Sequence, residues 1–89
     1  MLEVVFKNRF KKDLKKLKSS HRNEDDLLAI IDVLANEEPL KPKHRDHVLT
    51  GDYIGHRECH IEPDWLLIYQ ITETELILVR TGSHSELFG

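Results

Sequence analysis

The stretch Ile54-Gly55-His56-Arg57-Glu58-Cys59-His60-Ile61-Glu62-Pro63-Asp64-Trp65-Leu66-Leu67-Ile68-Tyr69-Gln70-Ile71-Thr72 decides how this chain folds. From Ile54 to Glu62 the residues alternate. In an extended backbone that sends Glu58, His60 and Glu62 to one face, and Cys59 and Ile61 to the opposite, core-facing side. Pro63-Asp64 is a natural hairpin turn. Trp65 to Thr72 is more continuously apolar, as a central strand requires, and Leu76 to Arg80 pairs with it across Thr72-Glu73-Thr74-Glu75.

Toward the N-terminus, Leu2 to Phe6 is a short β-branched and aromatic run that predicts a first strand. Asn8 is the expected cap of a helix in which Phe6, Phe10, Leu14 and Leu17 form one apolar stripe. Ser19-Ser20-His21-Arg22 ends it. Asn23 caps a second helix with Glu24, Asp25 and Asp26 in its first turn, where the helix dipole favours negative charge, and with Leu27, Ile30, Ile31 and Leu34 as its buried stripe. That helix ends near Asn36. Pro39 to Arg45 is a proline-marked connector, Val48-Leu49 a short apolar piece, and Thr50-Gly51-Asp52 a turn. Ser83 to Phe88 reads as a terminal helical turn or a loop. The expected architecture is α+β: two N-terminal helices packed on one face of a mostly antiparallel twisted sheet, the other face partly open.

A chain of 89 residues supports one core, so residues 1–89 form a single domain. Hydrophobic residues at 39% and charged residues at 33% describe an ordinary globular protein. No apolar run approaches the roughly eighteen residues a membrane span needs. The start Met1-Leu2-Glu3-Val4-Val5-Phe6-Lys7 lacks a secretory pattern, and the lone Cys59 has no internal disulfide partner, which together predict a cytoplasmic protein.

The net charge of -3 conceals a division. From Lys7 to Arg22 there are eight Lys and Arg residues against the single acid Asp13; from Asn23 to Glu38 there are six acids and no Lys or Arg. Such stripes are either solvated helix faces that attract each other or, for the cationic one, a patch that tracks a nucleic-acid backbone.

His47, His60 and His84 are separated by strand-length segments and accompanied by Asp64, Arg80 and, less directly, Arg57. Cleaving RNA without a metal requires a base for the 2′-hydroxyl proton, an acid for the leaving 5′-oxygen, and cations for charge growing on the phosphate. Histidine serves both proton roles because it titrates near neutrality, and the arginine fork matches phosphate oxygens. Asp64 can act as a base or orient a histidine, and Phe88 offers a ring on which a base stacks. Taken singly, each residue has an ordinary role: His60 on a solvated strand face, His84 capping the terminal turn, His47 in a loop, Asp64 in a hairpin. A structural metal is not expected, because Cys59 and His60 are adjacent in a strand and point to opposite faces, while His44 and His47 lie in a connector without a Cys partner.

Three blocks in order, Asp46-His47-Val48-Leu49-x-Gly51, then Arg57-Glu58-Cys59-His60-Ile61-Glu62-Pro63-Asp64-Trp65, then Arg80-Thr81-Gly82-Ser83-His84-Ser85-Glu86-Leu87-Phe88, resemble the YafQ-type branch of the RelE/ParE toxin superfamily over essentially the whole chain. The resemblance implies a RelE-like fold. It also implies the toxin of a type II toxin-antitoxin pair: an endoribonuclease, or mRNA interferase, that cuts translated mRNA at the ribosome without a cofactor and is neutralised by a cognate antitoxin protein. Carried over by motif, His47, His60, Asp64, Arg80 and His84 are the expected catalytic residues, with Phe88 and Glu58 as weaker RNA-contacting candidates. The competing expectation is a ParE-like toxin that inhibits DNA gyrase by binding it.

Overall fold

The computed structural model describes residues 1–89. The strands are β1 (Glu3–Phe6), β2 (His47–Val48), β3 (Arg57–Glu62), β4 (Trp65–Ile71) and β5 (Glu75–Gly82); the helices are α1 (Asn8–Leu17), α2 (Glu24–Ala35) and α3 (His84–Phe88). They form one five-stranded sheet in the order β1-β5-β4-β3-β2. β1 runs parallel to β5, and every other pairing is antiparallel. The α+β expectation therefore holds, and no helix is long and apolar enough to cross a membrane.

Side-chain alternation sorts the sheet into two faces. Cys59, Ile61, Trp65, Leu67, Tyr69, Leu76 and Leu78 join Phe10, Leu17, Leu27, Ile30, Ile31 and Leu34 of the two long helices in the main core. On the opposite face a second, smaller cluster of Leu66, Ile68 and Leu87 is lined by Leu49, Tyr53 and Val79. That face is only partly roofed, by α3 and by the turn Gly51–Tyr53.

Local boundaries differ from expectation for identifiable reasons. Lys7, not Asn8, precedes the first helical turn and lends no side-chain cap, because its ammonium group cannot accept a hydrogen bond; its N–H donates to the Leu78 carbonyl at 3.0 Å and continues the β1–β5 ladder up to the helix. Asn23 does cap α2, its side chain accepting from the Asp25 N–H. Strand β3 begins at Arg57 because Gly55 takes φ +86°, a left-handed backbone that breaks the extended run from Ile54. The proline connector contains a 3-10 turn at Pro42–His44, with proline in the first turn where its missing N–H costs nothing. No ion pair joins the lysine-rich α1 to the acidic α2, and Lys11, Lys12, Lys15 and Lys16 are exposed.

The one acid of α1 has a different task. Asp13 lies three residues after Phe10 on the core-facing stripe and is buried. β1 stops pairing with β5 at Leu78, which leaves the Thr81 N–H without a strand partner, and Asp13 accepts it at 3.1 Å. The same carboxylate receives the Arg80 Nε at 2.7 Å and Nη2 at 3.2 Å. A bulge at Val79, where Ile68 pairs with Arg80 and Tyr69 with Leu78, turns Val79 and Arg80 successively toward the half-open face.

Candidate active site

The half-open face collects the chemistry. β2 and β3 pair His47 with Glu58, so these two side chains are neighbours across the strands, and His60 follows Glu58 on the same face two residues later. Glu58 is 5% exposed, and its Oε1 lies 3.4 Å from His47 Nε2 and 3.6 Å from His60 Nε2. The His47 and His60 rings are 6.3 Å apart between centroids, and the His60 and His84 rings 5.7 Å apart.

His84 is brought there by α3. Ser83 caps this short helix with its side-chain oxygen on the Glu86 N–H, and Glu86 reaches back to the Ser83 N–H at 2.7 Å, a reciprocal capping box. Arg22, from the α1–α2 link, donates to Glu86 Oε1 at 3.1 Å and lies over the Trp65 ring at 5.9 Å. These bonds hold the Glu86 carboxyl below its ordinary range, the Ser83 N–H being the main cause. Gly82 leaves α3 room to approach: a Cβ there would lie 3.1 Å from Glu86 Oε1 and 3.3 Å from Leu87 Cδ2.

Asp64, exposed in the β3–β4 turn, accepts both the His84 backbone N–H at 2.9 Å and its Nδ1–H at 2.6 Å. The two bonds lower the Asp64 pKa, the backbone bond first, and orient the ring. The same anchoring recurs at the other histidines. His47 Nδ1 donates to the Arg45 carbonyl at 2.6 Å and His60 Nδ1 to the Pro63 carbonyl at 3.3 Å; a carbonyl can only accept, so in all three rings Nδ1 carries the proton and Nε2 is left for other work. His47 and His60 aim Nε2 at Glu58, while His84 Nε2 has no hydrogen-bond partner. Arg45, the anchor of His47, sits at φ +46°, an uncommon backbone for a residue with a side chain.

Five expected residues, His47, Glu58, His60, Asp64 and His84, thus form one cluster on this face, and His60 also borders a hollow beside it. Phe88 ends α3 half-exposed, its ring packed edge-on against Tyr53 at 5.8 Å. Arg80 shares the sheet face, since Glu58, Ile68 and Arg80 are aligned across β3, β4 and β5, but its guanidinium is occupied. The Asp13 carboxylate, with a smaller contribution from Tyr53, raises its pKa. Arg57 does not join the site: it follows the Tyr69 side of the sheet and pairs with Asp46 at 3.3 Å, which also receives the Tyr69 hydroxyl.

The sequence reading missed several participants. His44 Nδ1 donates to the His60 carbonyl at 2.7 Å, and Lys43 and Arg45 border a hollow of about 440 Å³ against His60, supplying positive charge at its rim. Asp13 was legible as an acid on an apolar stripe. Tyr53 and Arg22 carried no signal, because only the folded chain brings them to α3.

A family model described as bacterial toxin of type II toxin-antitoxin system, YafQ, matches residues 2–89. The mRNA interferase toxin YafQ of Escherichia coli strain K12 is 36% identical over 88 residues, covering 98% of this chain and 96% of that protein. The crystal structure of the E. coli DinJ-YafQ complex matches with 36% identity and a TM-score of 0.92, covering 100% of both chains. A metal-bound toxin from Helicobacter pylori matches with 48% identity and a TM-score of 0.92, covering 99% of this chain and 100% of that one. With a model match over almost its full length and relatives well above a third identical, the chain belongs to the YafQ family of toxins from bacterial type II toxin-antitoxin systems.

Proposed function

We propose that the histidine-lined hollow is where this toxin, an mRNA interferase and hence an endoribonuclease, cleaves message by acid-base chemistry without a metal. A neutral His47 takes the proton of the 2′-hydroxyl, the freed oxygen bonds to phosphorus, and the bond from phosphorus to the 5′-oxygen breaks. His84 as imidazolium gives its proton to that departing oxygen. The products are a 2′,3′-cyclic phosphate and a 5′-hydroxyl, so protons and bonds balance. General acid and base steps of this kind contribute about 10²–10⁴-fold each.

The observation that carries the reading is the His84–Asp64 pair beside the Glu58-linked imidazoles. Asp64, already engaged with His84 through two bonds, orients the acid rather than serving as a separate base. Glu58 lies between His47 and His60, 3.4 and 3.6 Å from their Nε2 atoms, and holds the two rings next to each other beside His84. Arg80 lies two strands from Glu58 with its charge offset by Asp13, so it adds no net charge to the phosphate, and the half-exposed Phe88 ring offers a stacking surface for a base.

A chain of net charge -3 binds free RNA poorly, whereas the exposed lysines of α1 can dock on ribosomal RNA and let the ribosome present the message in an attack-ready geometry. Cleavage is accordingly ribosome-dependent in this proposal, and a cognate antitoxin covers the toxin, as in the DinJ-YafQ complex. The test is to induce the chain and its His84→Gln variant and map message 5′ ends. Cuts within translated frames that vanish in the variant and leave 5′-hydroxyl and 2′,3′-cyclic phosphate ends support the proposal. Growth arrest with intact messages and accumulating DNA breaks would establish the gyrase alternative, and cuts that leave 5′-phosphate and 3′-hydroxyl ends would establish a water-attack, metal-dependent one.

A further inference from the structure

Beyond the ridge formed by Phe88 and Tyr53 lies a second depression of the same face, a groove of about 470 Å³ whose lining includes Lys7, Arg9, Tyr53, His56, Gln70 and Arg80. Its volume falls within the roughly 300–1,000 Å³ of small-ligand clefts. No acid lines it; Asp13 lies beneath Arg80 and neutralises that one charge, so Lys7 and Arg9 remain as exposed, unpaired cations at the mouth. Tyr53 links the groove to the end of α3: its ring meets Phe88 at 5.8 Å and His56 at 5.6 Å. The register puts Arg80 two strands from Glu58, roughly 10 Å at the usual strand spacing.

We propose that this groove is an RNA subsite that holds the nucleotide and phosphate flanking the cut, with Lys7 and Arg9 taking the phosphate, Gln70 and His56 offering polar contacts to the base edge, and Tyr53 closing the side wall. Three observations favour RNA over an acidic protein segment. The groove pairs cations with aromatic faces, the combination single strands use. It is continuous through Tyr53 with the ring of Phe88. Its polar side chains include amide and imidazole groups that satisfy base edges, whereas an acidic peptide needs only charge. The subsite rests on the reading of the neighbouring hollow as the cleavage site, yet it makes a separate claim about residues that perform no chemistry.

The experiment titrates a fully 2′-O-methylated oligoribonucleotide, which lacks the attacking hydroxyl, into the isotope-labelled full chain carrying His84→Gln so that it can be produced. Amide shifts should extend over Lys7, Arg9, Tyr53, Gln70 and Val79 as well as the histidine hollow. Adding Lys7→Gln and Arg9→Gln, both exposed and so neutral to folding, should weaken binding at least roughly fivefold and flatten the log affinity against log salt slope by about 0.7, the value for the one phosphate the two side chains share on a single strand. Unchanged affinity and slope, or shifts confined to the histidine hollow, would overturn the subsite while leaving message cleavage by the wild-type chain to stand. Loss of antitoxin affinity with unaltered RNA binding would equally overturn it, in favour of a protein interface. A groove that binds as described in a chain that never cuts message would instead refute the cleavage reading.

Discussion

Replacing Asp13 should unfold more of this protein than any catalytic substitution. Its carboxylate accepts three bonds, from Arg80 Nε, Arg80 Nη2 and the Thr81 N–H, at 2.7, 3.2 and 3.1 Å. The Arg80 and Asp13 side chains are only 11% and 7% exposed, so little solvent screens the pair. Asp13→Ala leaves a buried guanidinium without a counterion and a buried N–H without an acceptor, a combined loss of about 3–5 kcal/mol. Asp13→Asn keeps one acceptor oxygen for the Thr81 N–H but also gives up the charge and turns an NH2 toward the Arg80 donors, so it recovers only about 1 kcal/mol of that loss. At about 4–8 °C per kcal/mol for a domain of this size, the alanine variant should melt at least about 12 °C lower. Urea and thermal unfolding in a His84→Gln background read both numbers. A second replacement, Arg80→Met in the Asp13→Ala chain, should recover part of the loss because the stranded charge is removed. If asparagine restores the wild-type melting temperature, or if Arg80→Met worsens the alanine variant, the carboxylate is not compensating a buried cation and the reasoning fails.

Gly82→Ala should impair cleavage while sparing the main core, because the new methyl group meets Glu86 and Leu87 at 3.1–3.3 Å and α3, with His84, must yield by a few tenths of an ångström; kinetics alongside melting temperature separate the two effects. Asp64 and Glu86 are both held below their ordinary values of 3.8 and 4.5, so their support of α3 is complete above those values and disappears as the pH falls through the lowered folded ones. Amide signals of residues 83–88 should therefore broaden or shift on acidification before those of β4, and simultaneous loss would contradict the assignment. Cys59 is buried, and desolvation pushes its thiol up to about 12, so thiol reagents should label it only after unfolding; rapid labelling of the native chain would show that β3 opens readily.

Periodicity carried most of the architecture. The Leu27-Ile30-Ile31-Leu34 stripe and the continuous apolar run of Trp65–Ile71 each permit one burial arrangement, and the core uses both. What alternation could not carry was anything decided between elements. Glu58 and His60 were legible as sharing a face, but that His47 would sit opposite Glu58 depends on the β2–β3 register, which follows from the Gly55 turn and not from pattern. Arg80 was expected among the catalytic residues, but its pairing with Asp13 was not legible, since the bulge at Val79 and the truncated β1 that hand it to Asp13 are tertiary features. Arg57, one residue from Glu58, had to fall on the other face by the same period-two rule, and its pairing with Asp46 follows from that.

The separation of the two hydrophobic clusters has a functional consequence. Fifteen buried residues on the helix side form the main core, while the hollow and α3 rest on a cluster of three, Leu66, Ile68 and Leu87. The free energy that keeps the sheet intact therefore depends little on His47, Asp64 and His84, which are exposed, while Glu58 and His60 are buried in the sheet itself. α3 is five residues long, too short to persist alone, and it stays in place through Leu87, the capping box and the Arg22–Glu86 pair. Its docking is thus the least stable contact in the domain, and His84 moves with it. The proposed acid is carried by the element that small perturbations displace first, so loss of cleavage should precede loss of fold as conditions worsen. Following His84 amide exchange and message cutting together across a urea series, against β4 exchange as the global reference, would reveal whether the two events separate; coincident midpoints would mean that α3 belongs to the main cooperative unit after all.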